Sequence, residues 1–421
     1  MGTAKMVSRL ILLLHLQILC VASLQTEPRV SAATKRQPFV SSSSYNLRIG
    51  RSRQKEPTSH TFARSILNAA KGFGSSASDK SSQKGKKNKK RLVNNEENKT
   101  SKPSAKPFVK SEQEQMIAQL AAQAANTCIG KVVARALASD TEIDPFWELI
   151  PSLIASRFPH VTDSELERVA GFVHHTLHPS LPLPDDDRND FARHHPYRPA
   201  QDLHAFMPNL GPTQPFWDPQ QLPLCQLLRD NYDIIRMEYE ALMADMKQGG
   251  PDRFQSVTSM NYEAGWKTLV LFYNSHRIPN FPYHLCPTTT KILETVPLAG
   301  RIAGFNRQQP QSGIPLHTDG NNMWLTCQMG IQVPGDGTFA SIRVGPETRY
   351  WKVGECLVYD TTFEHETMNT HDTEERIVLH VDFFNTLRMT PVEIQVMQYI
   401  YSLREQFMKA EGVGKVGQQI L

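Results

Sequence analysis

From Lys267 onward the chain is built of short apolar runs, TLVLFY, GRIAGF, WLTCQMGIQV, ASIRVG, ECLVYD and ERIVLHVDFF, each cut off by Gly, Pro, Asn or Asp. Runs of this length and punctuation read as strands rather than helices. So many short strands in succession must hide their edges, by closing into a barrel or by stacking in two sheets, and a double-sheet jelly roll is one common solution.

Helical periodicity precedes the strands. SEQEQMIAQLAAQAANTCIGKVVARAL, from Ser111, is free of Pro with apolar residues at helical spacing, and predicts one long helix. A second helical stretch surrounds Trp147 to Phe158, and Thr162-Asp163-Ser164-Glu165 is a capping box opening a helix to about His175. The Pro-rich segment from His178 to Pro223 disfavours regular structure. Leu224, Leu228, Ile235, Tyr239, Leu242 and Met246 then recur at the spacing of one amphipathic helix. The expected order is a helical subdomain and Pro-rich connector over 111–205, a β catalytic domain over 206–391, and a C-terminal helix and tail over 392–421.

Composition separates these from the N-terminal part. Lys5 and Arg9 precede the apolar run Leu10 to Ala22, and Val21 and Ser23 suit a cleavage site after Ser23, so residues 1–23 read as a signal peptide. The run falls short of the roughly 20 residues that a spanning helix needs, and no later stretch could span a bilayer. Residues 26–110 carry 20 basic against 5 acidic side chains, whereas the whole chain is only +4, so the folded remainder is acidic. Residues 24–110, rich in Ser, Lys and Arg, cannot bury a core and read as a disordered linker or transit segment. Two destinations follow: the secretory pathway or endoplasmic-reticulum lumen, with Asn98-Lys99-Thr100 as a glycosylation acceptor, or a plastid reached through a two-part address. Lys84 to Arg91 (KGKKNKKR) is read as solvated linker, and no nucleic-acid partner is expected. Beyond Cys20 there remain Cys128, Cys225, Cys286, Cys327 and Cys356, an odd number without close spacing and no disulfide framework.

In Pro315-Leu316-His317-Thr318-Asp319-Gly320, His317 and Asp319 stand two apart, so on an extended chain both side chains leave one face. His365, 48 residues beyond His317 and just after the strand ECLVYD, offers a third donor. Two His and one carboxylate form the facial triad of non-haem Fe(II) oxygenases, which leaves room on an octahedral ion for a bidentate 2-oxo acid and O2. Arg376, 11 residues after His365, opens a strand whose Ile377, Leu379 and Val381 take the opposite face. Its guanidinium would point into the barrel and suits the distal carboxylate of 2-oxoglutarate. The paired His174-His175 and His194-His195 lack a carboxylate or cysteine at ligand spacing and read as surface histidines.

Over roughly residues 206 to 391 the chain resembles the aspartyl/asparaginyl β-hydroxylases. The likeness lies in Phe216-Trp217-Asp218, Cys286-Pro287 with TTTKILETVP, PLHTDGNN, ETRYWKVGECLVYDTTFEHE and the Arg376 strand. It implies a double-stranded β-helix (jelly-roll, cupin-like) fold and an enzyme that uses Fe(II), 2-oxoglutarate and O2. His317 and His365 would be the metal histidines and Arg376 the co-substrate arginine. The chain also departs from the family: Asp319 stands where animal members have Gly, and Thr361 where they have an acid. Thr326 and Gln328 stand in place of a co-substrate Arg and a His, and Asn306 in place of a Ser. Asn306 and Gln328 can still hydrogen-bond the co-substrate, with one carboxylate held less strongly for want of the second Arg. The tetratricopeptide repeats of the animal enzymes, which present protein substrates, are not found here. The resemblance therefore implies hydroxylation of a C–H bond, in Asp or Asn side chains of a protein or in a lipid or small molecule. Two rivals share the fold: a non-catalytic jelly-roll binding protein, and a Zn hydrolase on the same three ligands with Glu364 or Glu366 as base.

Overall fold

The computed structural model describes residues 112–139, 143–256 and 265–410. The signal peptide, the basic linker and the glycosylation acceptor lie outside them. The described residues form one compact unit, in which helices cover one face of a large sheet and a small sheet faces the other.

Strand β11 (Arg376–Phe384) shows how the sequence builds this. All nine of its residues are buried, because it runs between two neighbours and is covered on both faces. Its partners are β5 (Leu298–Gln308) and β6 (Trp324–Gln332), both antiparallel. Beyond them lie β3 (Trp266–Tyr273) on one side and β9 (Cys356–Tyr359) on the other, with β1 (Phe216–Trp217), β2 (Phe254–Gln255) and β4 (His276–Arg277) at the margins. The small sheet has the order β10 (His365–Asn369), β7 (Ala340–Val344), β8 (Glu347–Tyr350). The mainly antiparallel, two-sheet jelly-roll expectation holds.

Alternation along β11 divides the interior in two. Ile377, Leu379, Val381 and Phe383 join Leu224, Leu228, Ile235, Leu242 and Leu293 in an apolar core, supplied by helices α6 (Pro223–Asp230), α7 (Tyr232–Lys247) and α8 (Pro287–Glu294). Arg376, Val378, His380 and Asp382 take the opposite face, between the sheets.

The helical layer departs from expectation at its breaks. The long helix foreseen from Ser111 is two, α1 (Glu112–Ala125) and α2 (Cys128–Ala138). Thr127 interrupts it: its Oγ1 donates back to the Ala124 carbonyl at 2.6 Å and accepts the Gly130 N–H at 3.0 Å, starting a new helix. Thr127→Ala is expected to lower stability by about 1 kcal/mol, the usual worth of an N-cap, seen as a lower denaturant midpoint with an unchanged slope. The helix foreseen over 224–246 is likewise split into α6 and α7 at Asn231, whose amide caps the Leu227 carbonyl. Helix α3 (Pro145–Arg157) lies where periodicity put it. The Thr162 capping box forms, with the Thr162 N–H on Glu165 at 2.9 Å, but a turn intervenes before α4 (Glu167–Leu177). The Pro-rich segment contains a helix that was not foreseen, α5 (Asp185–Arg193), with Asp185, Asp186 and Asp187 in its first turn, where the helix dipole favours acids. The last helix, α9 (Pro391–Ala410), packs on α3, α4 and β5 and is pinned by Glu393 to Arg168.

Candidate metal centre

The segment carrying His317 and Asp319 runs antiparallel to the chain around β10. His317 and His365 exchange both backbone hydrogen bonds, at 3.0 and 2.8 Å, and the Asp319 N–H donates to the Thr361 carbonyl at 2.9 Å. Residues paired in this way send their side chains to the same face, and the two imidazole centroids lie 4.2 Å apart. Gly320 then turns the chain at φ +54°, a left-handed conformation that favours glycine. One nitrogen from each of His317 and His365 and one oxygen from Asp319 lie within 4.8 Å of one another. The three side chains that the sequence singled out are thus brought together.

Each imidazole is held in the same way. His317 Nδ1 lies 2.8 Å from the Pro315 carbonyl and His365 Nδ1 2.8 Å from the Phe363 carbonyl. A carbonyl only accepts, so Nδ1 carries a proton in both rings and Nε2 is the nitrogen left for a metal, the arrangement that histidine ligands adopt. Burial, and then the neighbouring His317, pull the His365 pKa down to about 4 against the opposing pull of Asp319, so the ring is neutral at physiological pH. Burial would raise the Asp319 pKa, but Arg301, His365 and His317 together hold it well below the usual carboxylate range. Two imidazoles and an ionised carboxylate converging on one point fit a divalent ion of the Fe(II) class.

Arg376 is completely buried, and its guanidinium is sandwiched at 4.2 Å from the ring centroids of both Trp266 and Trp351. None of its three guanidinium nitrogens has a hydrogen-bond partner in the protein. Burial lowers its pKa to about 9, with Tyr359 opposing. A planar cation held in register between two aromatic faces, with every donor free, suits the forked acceptance of a carboxylate. Trp351 therefore forms one wall of this cradle.

Asn306 pairs with Val378 and Gln328 with His380, so both lie on the face of the sheet that Arg376 occupies. Both are buried, and each side-chain carbonyl oxygen has no partner. Gln328 Nε2 lies 3.0 Å from His380 Nδ1, and His380 Nε2 lies 3.1 Å from a carboxylate oxygen of Asp382. Asp382 accepts from Thr326 at 2.6 Å and lies 3.5 Å from Arg301, which pairs with Asp319 at 2.5 Å. A polar chain therefore runs from Gln328 to the ligand carboxylate. Arg301, His380, Asp382 and Trp266 were not singled out from sequence, although counting by twos from Arg376 would have reached His380 and Asp382. Asp382→Asn, which loosens the Arg301 that pairs with the ligand Asp319, is expected to weaken metal binding by less than the roughly 10–100-fold that follows loss of a direct partner of a ligand, measured by competition with a metal chelator.

Other candidates stay outside this group. His175 and His194 are half-buried against Phe206 and Phe363 at 5.1 and 4.9 Å. Glu366, a conceivable base for hydrolysis, is turned to Arg343 at 2.7 Å. A surface cavity of about 750 Å³ lined by Arg168, Pro208 and Glu393 contains none of the triad.

Residues 229–386 match the model of a family described as aspartyl/asparaginyl beta-hydroxylase. Ornithine lipid ester-linked acyl 2-hydroxylase of Rhizobium tropici is 27% identical over 194 residues, covering 45% of this chain and 66% of its own. Aspartate beta-hydroxylase domain-containing protein 2 of Xenopus tropicalis is 26% identical over 206 residues, covering 47% of this chain and 54% of its own. Human aspartyl/asparaginyl beta-hydroxylase is 26% identical over 187 residues, 42% of this chain and 24% of its own length. The chain thus spans less than two thirds of each.

Proposed function

We propose that the protein is an Fe(II)- and 2-oxoglutarate-dependent hydroxylase, a reading supported by the match of residues 229–386 to the aspartyl/asparaginyl β-hydroxylase family model. The observation that carries this is a paired one: a two-His, one-carboxylate triad and a buried arginine with every guanidinium nitrogen free, facing the same space between two sheets. The triad alone would suit a Zn hydrolase, but hydrolysis gives a buried, unpartnered cation nothing to do.

When bound, iron supplies the activation of O2 and the oxidation of an unactivated C–H bond, with 2-oxoglutarate as the electron donor. The protein binds, orients and excludes water. His317, Asp319 and His365 hold the ion, and the carbonyls of Pro315 and Phe363 fix the two rings by accepting their Nδ1–H groups. Arg376 receives the distal carboxylate, while Asn306 and Gln328 offer amide groups nearby. Tyr359 pairs with Thr326 across the strands and lies 5.9 Å from the His365 ring. Burial, and then Asp382 and Asp319, raise its pKa, so it stays protonated and can donate a hydrogen bond.

The acceptor we propose is an Asp or Asn side chain of a protein. A lipid acyl chain is the second reading, supported by the Rhizobium relative, whose name specifies ester-linked acyl 2-hydroxylation. We further propose that residues 1–23 direct the chain into the secretory pathway, a cleaved N-terminus after Ser23 being the test and a plastid the alternative destination. Among the described residues no helix is long and apolar enough to cross a membrane.

The deciding experiment is succinate formation by the purified full chain supplied with Fe(II), 2-oxoglutarate and air. Turnover is expected, lost on chelation and restored by Fe(II), and mass spectrometry of peptide against lipid acceptors then identifies the substrate. Stoichiometric iron without succinate would favour a binding protein.

A further inference from the structure

A second cluster of metal-type donors lies on the helix-covered face of the main sheet. Cys225 is on α6, Cys327 on β6 and Cys356 on β9, the latter two lying 102 and 131 residues beyond Cys225 in sequence. All three are buried free thiols, and their sulfurs lie within 4.8 Å of one another. Cross-strand register explains the pairing of two of them. Cys327 faces Val358 and Cys356 faces Met329 on adjacent antiparallel strands, so the two thiols sit diagonally on one face, and the first turn of α6 lowers the third onto them.

We infer that Cys225, Cys327 and Cys356 form a binding site for one thiophilic d10 ion, Zn(II) or Cu(I), which clamps α6 to strands β6 and β9. The Cys225 and Cys327 sulfurs are 3.8 Å apart, and two thiolates each about 2.3 Å from a tetrahedrally disposed ion are themselves about 3.8 Å apart. Soft thiolate sets select these ions over the hard cations that carboxylates hold. A disulfide fits less well. It would need the same sulfurs to close to about 2.05 Å inside a packed core, and would leave the third thiol stranded.

The proton balance is simple. Each S–metal bond replaces an S–H bond, one proton leaves per thiol, and sulfur keeps its oxidation state, so no oxidant is required. One divalent ion and Arg229 would offset most of the thiolate charge.

This site does not depend on the proposed hydroxylase activity, and its test reads separately. The full chain, reduced with a phosphine and loaded anaerobically with Co(II), is expected to bind two equivalents and to show sulfur-to-cobalt charge-transfer absorption. Cys327→Ala should lose that absorption and one equivalent while keeping the other. His317→Ala should do the reverse, keeping the sulfur band. Cys286→Ala, a buried cysteine outside the cluster, should keep both. Elemental analysis of the protein as purified identifies zinc or copper. Absence of sulfur-to-cobalt absorption in the wild-type protein overturns the inference without reliance on any variant. So does a band that survives in Cys327→Ala, or a Cys225–Cys327 disulfide in protein that takes up no metal after reduction.

Discussion

His365→Ala is expected to abolish succinate formation and to remove stoichiometric iron while leaving the fold intact. The expectation of intactness rests on the backbone: the two hydrogen bonds that join His317 to His365 are made by main-chain atoms and survive the truncation. What goes is one of three donors, together with a ring that already points its lone pair inward because its Nδ1–H is held by the Phe363 carbonyl. Loss of a partner behind a ligand costs roughly 10–100-fold in affinity or activity, and loss of the ligand itself must exceed that. Iron content and succinate release, measured on the same sample beside an unchanged circular dichroism spectrum, check the prediction. Retained turnover in this variant would show that the ion sits elsewhere.

Much of this site could be read from the chain because each motif is local. His317 and Asp319 share a face through a two-residue period that any extended segment obeys, and Arg376 was assigned inward by the apolar residues alternating with it. Convergence of these pieces is a long-range event. It depends on the register of the 312–319 segment against β10, set by main-chain hydrogen bonds that leave no signature in composition. The same reason hides Trp266, whose ring reaches Arg376 only because β3 and β11 flank β5 in a particular register, with Trp266 and Arg376 both opposite Gln308. Arg301 was missed differently. A strand arginine reads as a surface charge, and only the fold reveals Asp319 and Asp382 on either side of it. Helix breaks at Thr127 and Asn231 escaped because apolar spacing continues across them, while their competing side-chain hydrogen bonds are decided locally.

Arg376→Met is expected to raise the stability of the ligand-free protein while removing its response to 2-oxoglutarate. In the free protein this guanidinium is fully buried and makes no hydrogen bond to any protein atom. Taking a charge out of water without a partner costs several kcal/mol. The two tryptophan faces return part of it, about 2 kcal/mol each in a desolvated setting. Methionine retains the ring contacts without the charge, so a net gain of roughly 1–2 kcal/mol follows, within the range seen when buried ionic groups yield to packed apolar ones. Wild-type protein holding a redox-inert divalent ion should regain this and more when the carboxylate arrives, since a ligand at 100 times its dissociation constant adds about 2.7 kcal/mol. The two melting curves should therefore change order on addition of 2-oxoglutarate: the variant melts higher without it, and the wild type alone shifts upward with it. A variant that melts lower in the absence of ligand, beside a wild type that does not shift, would make Arg376 a packing residue and remove the co-substrate from the site. The crossing of the curves separates the two roles because a residue kept for packing stabilises the empty protein, whereas a residue kept for binding an anion burdens it.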